Sequence, residues 1–122
     1  MKAIALLGIA AGLAAGAGCA SPGTAEDFKW TVEAPKIADK GAEFAFVVRT
    51  VNAEGGEVGG VPFHYQIHWT GGSSAPLRHG SETGEARKIR ARMVPGPATI
   101  LVTSLNREGL DVKVAEAVVE VK

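Results

Sequence analysis

Cysteine is almost missing from this chain: Cys19 is the only one in 122 residues. A single thiol cannot staple a domain to itself, so the fold must hold by packing and by backbone hydrogen bonding, and an internal disulfide framework is excluded. An excess of charge is missing too. Lysine and arginine together number 13, as do aspartate and glutamate, so no global field recruits nucleic acid. Past the first two dozen residues no stretch repeats its apolar positions every 3.6 residues, which excludes a helical bundle. Aromatic residues make up only 6%. A chain of this length and composition builds one modest core and no second.

Glycine, by contrast, is plentiful, with 16 in the chain. Short strands joined by tight turns use glycine in this way. The clearest run is residues 59–72, GGVPFHYQIHWTGG, where Val61, Phe63, Tyr65, Ile67 and Trp69 fall on one side of an extended strand. Pro62, His64, Gln66, His68 and Thr70 fall on the other, and glycine pairs fence both ends. Similar alternation predicts a strand over 28–33 and a second over 42–51 with Phe44, Phe46, Val48 and Thr50 inward. A weak edge region follows at 77–80 and a turn at 81–84. Residues 85–94 read as a strand with Ile89, Ala91 and Met93 inward. Residues 98–105 form an apolar run suited to a sheet centre. In 110–121 the apolar phase slips by one residue, as a β-bulge does. Segment 36–41 reads as a turn or short edge strand. The sum is about seven antiparallel strands with a turn signal roughly every ten residues, the spacing of an all-β sandwich. The expected core is Phe44, Phe46, Val48, Phe63, Tyr65, Ile67, Trp69, Ile89, Met93, Ile100, Val102 and Val112.

The N-terminus reads differently. Met1 and Lys2 form a minimal positive region, and residues 3–18 are an uncharged run of alanine, leucine, isoleucine and glycine. Such a run is shorter and less hydrophobic than the roughly 20 residues of a spanning helix, and it has the form of an exported leader. Gly16, Ala17, Gly18 and Cys19 resemble a bacterial lipobox, although Gly16 stands where that pattern prefers leucine. The resemblance implies a signal helix over 1–18, lipidation of Cys19, and a membrane partner held through the lipid at about 0.8 kcal/mol per buried methylene. An ordinary leader cut after Ala17 or Ala20 would instead leave a periplasmic or secreted protein. Residues 19–27 have the composition of a short flexible tether, which leaves 28–122 for the sandwich. Ala20 and Ser21 lack the aspartate that retains some lipoproteins at the inner membrane, so the resemblance implies the outer membrane of a bacterial envelope.

Two further segments carry a resemblance, VVRTVNAEGGEVGGVPFHYQIHW and TGEARKIRARMVPGPATILVTS. An extended strand, an Asn/Gly turn and a Gly-Val-Pro precede a strand ending in Trp69. Thr-Gly-Glu-Ala then opens a strand, and Pro-Gly-Pro-Ala introduces the next. They resemble bacterial immunoglobulin-like domains of the Big-1 type and, more loosely, macroglobulin-type sandwiches. The resemblance implies an all-β immunoglobulin-like fold in an extracytoplasmic setting. A cysteine pair and a tyrosine corner, both hallmarks of antibody domains, are missing, and fold alone does not fix function.

Candidate chemistry is sparse. His64 and His68 share the polar face of one strand, but four residues of strand separate them by about 13 Å, too far to share one metal ion. One of them could combine with His79 or a loop carboxylate, or contribute to a polar binding face. Lys88, Arg90 and Arg92 share a face, with Arg78, His79 and Arg87 near in sequence. They could dock an acidic partner, an anionic glycan or a lipid headgroup, or simply be offset by Glu43, Glu116 or Glu120 across strands. Ser73, Ser74, Ser81, the histidines and Asp111 supply the residue types of a hydrolytic triad, but no nucleophile elbow gathers them. The expectation is a non-enzymatic envelope lipoprotein that needs no cofactor and no nucleic acid. It would act as an accessory or protein-interaction module for an envelope protein. The alternative is a ligand-binding module for an anionic glycan or a metal ion. The possible binding residues are Lys88, Arg90, Arg92, His64 and His68.

Overall fold

The computed structural model describes residues 23–71 and 78–122. The leader, Cys19 and the loop of glycine, serine and proline at 72–77 lie outside the described residues. Alternation of apolar and polar side chains, broken by glycine and proline, yields eight strands among the described residues. They are β1 (Lys29–Glu33), β2 (Ile37–Ala38), β3 (Glu43–Val51), β4 (Pro62–His68), β5 (Arg78–Glu82), β6 (Ala86–Arg90), β7 (Gly96–Leu105) and β8 (Asp111–Val121). The only helical element among the described residues is a 3-10 turn at Ala25–Asp27.

Two sheets form, one in the order β1-β3-β6 and one in the order β2-β8-β7-β4-β5. All pairings are antiparallel except that of β2, which runs parallel to β8. First, third and sixth strands in one sheet, facing last, seventh and fourth in the other, is the arrangement of an immunoglobulin-like sandwich. The chain is therefore an all-β, immunoglobulin-like domain. β7 has a partner on each side, as its apolar run predicts. The phase slip in β8 is a bulge: Val102 pairs with Ala115 and Thr103 with Lys113, leaving Val114 without an opposite residue.

The inner faces close on each other. Phe44, Phe46 and Val48 of β3 meet Phe63, Tyr65 and Ile67 of β4, Ile100 and Val102 of β7, and Val119 and Val121 of β8 in one buried cluster. Phe46 sets its ring edge-on to Tyr65 across the sandwich, with centroids 5.1 Å apart. At one end the core contains a hydroxyl pair. Thr83 Oγ1 accepts from the Val61 N–H (3.1 Å) and lies 3.0 Å from Thr50 Oγ1, which donates to the Val58 carbonyl (2.5 Å). Buried polar groups persist when paired in this way.

Four details differ from the sequence reading. Met93 is 69% exposed, not core. The alternation of β6 ends at Ala91, because the chain must bend ahead of Pro95 and Pro97 to cross to the other sheet. Ser81 and Glu82 belong to β5 and not to a turn, and the turn begins at Thr83. Ile89 and Val112 are half-buried. Lastly, residues 24–27, expected as the end of a flexible tether, are folded against the tip of the β7–β8 hairpin.

That last contact is electrostatic. Arg107 donates its guanidinium N–H to Asp27 Oδ1 (2.7 Å) and its backbone N–H to both Glu26 oxygens (3.1 Å). Trp30 Nε1 donates to the Ala25 carbonyl (3.0 Å). Asp27 Oδ2 accepts from the Thr24 backbone N–H (2.8 Å) and hydroxyl (3.0 Å). The Thr24 N–H first, then the Arg107 guanidinium, hold the Asp27 carboxyl down at about 2, from 3.8. A carboxyl that binds its proton more weakly when folded stabilises the fold fully above the unfolded value, and that contribution is lost as pH falls through about 2. Carboxyl titration followed by NMR should therefore give Asp27 a midpoint near 2. Asp27→Asn should destabilise the domain at pH 6 and do so much less at pH 2, where the carboxyl is about half protonated,. A midpoint near 4 would show that the clip is open in solution.

Candidate functional site

β6 carries the basic residues because its alternation is out of step with its charges: Ile89 and Ala91 turn inward, so Lys88 and Arg90 turn out. Among the described residues β6 pairs only with β3 and forms the edge of the three-stranded sheet. Glu43 stands opposite Arg90 in register, so one carboxylate lies beside the basic row. The Arg90 guanidinium donates to the Gly41 carbonyl (2.7 Å), which fixes it at the end of the strand. Arg92, just beyond β6, lies over the Trp69 ring at 5.4 Å from its centroid. A cation in that position is drawn to the electron-rich face of the ring.

Between β6 and β4 the two sheets part into a groove of ≈ 260 Å³, lined by Tyr65, Ile67, Trp69, Lys88, Ile89, Arg90 and Arg92. Three cations thus border a wall made of core side chains. The sequence marks the cations by their common phase. It does not mark the wall, because Tyr65, Ile67 and Trp69 also belong to the buried core, and only the separation of the sheets shows that they line an opening as well.

The histidines lie elsewhere. β4 belongs to the five-stranded sheet, and His64 and His68 are on its outer face, paired in register with Thr103 and Thr99 of β7. The basic strand and the histidine face are therefore two surfaces on different sheets. His64 Nδ1 lies 2.9 Å from Asp111 Oδ2, and Thr103 donates its hydroxyl to the same oxygen at 3.2 Å. This cluster ties β4, β7 and β8 together across the solvent side. Sequence could not pair His64 with Asp111, since they are 47 residues apart. Ser81, one of the serines with a possible nucleophilic role, is 1% exposed on β5. Ser73 and Ser74 lie outside the described residues. Among the described residues no three of histidine, cysteine, aspartate or glutamate converge as metal ligands.

A second cleft, of ≈ 270 Å³, opens at the other end of the domain between Gly23, Thr24, Pro62, Leu105 and the hairpin tip at Asn106 and Arg107. This is the end at which the chain enters the sandwich. The basic groove lies toward the opposite end, because β4 runs away from Pro62 toward His68 and Trp69, and β6 runs toward Arg90 and Arg92.

No family model and no curated protein matches this chain. Among solved structures it is similar to the PKD domain of an M14-like peptidase from a Thermoplasmatales archaeon, with 14% identity and a TM-score of 0.49 over 75% of this chain and 91% of that one. It is also similar to a CARDB domain from Pyrococcus furiosus in complex with di-metal ions, with 14% identity and a TM-score of 0.47 over 87% and 95%. A third similarity is to an alkylpurine DNA glycosylase from Pseudomonas fluorescens bound to DNA containing an abasic site analog. There the identity is 14% and the TM-score 0.46 over 77% of this chain and 30% of the glycosylase.

Proposed function

We propose that this chain is a lipid-anchored module of the bacterial envelope, a Big-1-type immunoglobulin-like domain that works by binding and not by catalysis. In this reading residues 1–18 are the leader, Cys19 carries the lipid, and the outer membrane holds it. The domain binds an acidic partner through Lys88, Arg90 and Arg92. The observation that carries the reading is the gathering of these three cations around one groove at the end of the sandwich away from the chain's point of entry. An anchored domain presents that end outward. Cations at such a surface speed and orient encounter with a partner of opposite charge. An anionic glycan is less well served, because sugars stack on open ring faces and Trp69, in the groove wall, is only 8% exposed with Arg92 already over it.

Two variants test the two halves of the proposal separately. Cells expressing the full chain incorporate labelled palmitate and keep the protein in the membrane fraction, and Cys19→Ser abolishes both. Replacing Lys88, Arg90 and Arg92 together by glutamine leaves anchoring intact but removes the crosslinked partner recovered from intact cells, with the largest difference at low salt. Unlabelled wild-type protein in the soluble fraction would remove the anchor, and unchanged crosslinking at low salt would remove the basic strand.

A further inference from the structure

The three-stranded sheet ends at β6 in a way that exposes a particular set of backbone groups. Ala91 donates its N–H to the Ala42 carbonyl (2.8 Å). Along β6, Ile89 lies opposite Phe44 and Arg87 opposite Phe46. In an antiparallel ladder, residues that direct N–H and C=O at the partner alternate with residues that direct them away. Arg87 and Ile89 share the parity of Ala91 and face β3. Lys88 and Arg90 therefore hold their backbone N–H and C=O groups toward the free side, where no strand is paired among the described residues.

Beyond that edge lies the groove. In constant-type immunoglobulin sandwiches a fourth strand follows at this position, in the sheet order ABED. Here the corresponding stretch, β5, pairs with β4 in the opposite sheet. The groove thus lies where a further strand of the three-stranded sheet would run, with Ile67 and Trp69 of the facing sheet as its wall.

We infer that the free edge of β6 takes up an extended acidic peptide as a fourth strand, an inference that rests on the interaction-module reading above. The peptide backbone pairs with Lys88 and Arg90. On its outer face, carboxylates lie beside the Lys88 and Arg90 side chains as cross-strand pairs. On its inner face, alternate apolar side chains enter the groove beside half-buried Ile89. Main-chain pairing then supplies affinity and the alternating side chains supply specificity. Cations on an edge strand also keep two copies from pairing edge to edge. The same charges that repel a second copy admit a strand of opposite sign.

The test uses the full-length chain in detergent micelles, 15N-labelled and titrated at low salt with a blocked peptide of alternating glutamate and valine. Binding should slow amide exchange at Lys88 and Arg90, on the edge being paired. N-methylation of one alternating set of peptide residues should weaken binding by about tenfold or more, while methylation of the other set changes it by less than about twofold, because only one edge of the added strand faces β6. Lys88→Gln with Arg90→Gln should weaken binding by about tenfold at low salt and by less at high salt. Equal sensitivity to both methylation patterns, or equal binding of polyglutamate, would reduce the contact to charge alone and overturn the inference. Binding of an anionic uronate oligosaccharide with no peptide binding would overturn it in favour of a glycan. The titration does not depend on the anchor. Failure of palmitate labelling sinks the lipoprotein reading and leaves this result standing, whereas an anchored chain that ignores the peptide sinks the edge alone.

Discussion

Phe46→Ala is expected to lower the unfolding free energy by about 3–5 kcal/mol, the range for truncating a fully buried phenylalanine. Phe46 is 1% exposed on β3 and sets its ring edge-on to Tyr65 on β4, at 78° and 5.1 Å. Those two strands lie in opposite sheets, so the pair is a direct tie across the sandwich, and alanine would leave a cavity between the layers. Aromatic pairs of this kind contribute roughly 0.5–1.5 kcal/mol beyond the area they bury. A small domain has only about 5–15 kcal/mol in total, and this one has no internal disulfide to hold it when packing weakens. The loss should appear in urea denaturation as a lower midpoint at unchanged slope. Val118→Ala is the control. Val118 is 52% exposed on the outer face of β8, and its truncation should stay within about 0.5 kcal/mol. A Phe46→Ala loss below that of the control would mean that the two sheets do not meet as described.

The same packing explains how far the sequence could be read. Residues whose polarity matches their position were legible: Phe44, Phe46 and Val48 on β3, Phe63, Tyr65 and Ile67 on β4, and the phase slip that becomes the bulge at Val114. Residues whose polarity contradicts their position were not. Ser81 and Thr83 are 1% and 2% exposed yet have the composition of a turn: the Thr83 hydroxyl is buried because it bonds the Val61 N–H and the Val58 carbonyl, and Ser81 because its place in β5 sets it opposite Phe63. Met93 has the hydrophobicity and phase of a core residue, but the strand that would have carried it inward has already ended. At the candidate site the cations were visible by their common phase. Their assembly with Trp69 and Ile67 was not, because it depends on how far apart two sheets stand at one edge, which no local pattern records. The clip between Arg107 and Asp27 joins residues 80 apart, and exposed charges carry no signature of their partners.

Gly96→Ala is expected to be the most damaging change of a single methyl group, and it acts on the end of the sandwich that holds the groove. Gly96 opens β7 between two prolines with φ +134°, a conformation that side chains with a Cβ rarely adopt,. Holding alanine there costs roughly 1–3 kcal/mol in backbone strain. A contact adds to it: the new Cβ would stand 2.3 Å from Thr70 Oγ1 and 2.9 Å from Thr70 Cγ2. Thr70 cannot simply move, because its hydroxyl donates to the Pro97 carbonyl (2.8 Å) and joins the end of β4 to the start of β7. Losing that bond costs about 0.5–1.5 kcal/mol more. The two contributions separate in a double-mutant cycle. Thr70→Ala alone should cost only the hydrogen bond. In that background Gly96→Ala should be cheaper than in wild type, the residue of the cost being the strain at φ +134° and the remaining 3.0 Å contact with the Cβ of residue 70. Strict additivity would show that the side chains never met. Since Trp69 adjoins Thr70, the Gly96→Ala protein should also shift its tryptophan emission as Arg92 loses its seat on the ring. The Gly96→Ala, Thr70→Ala double variant should recover part of that shift along with the stability.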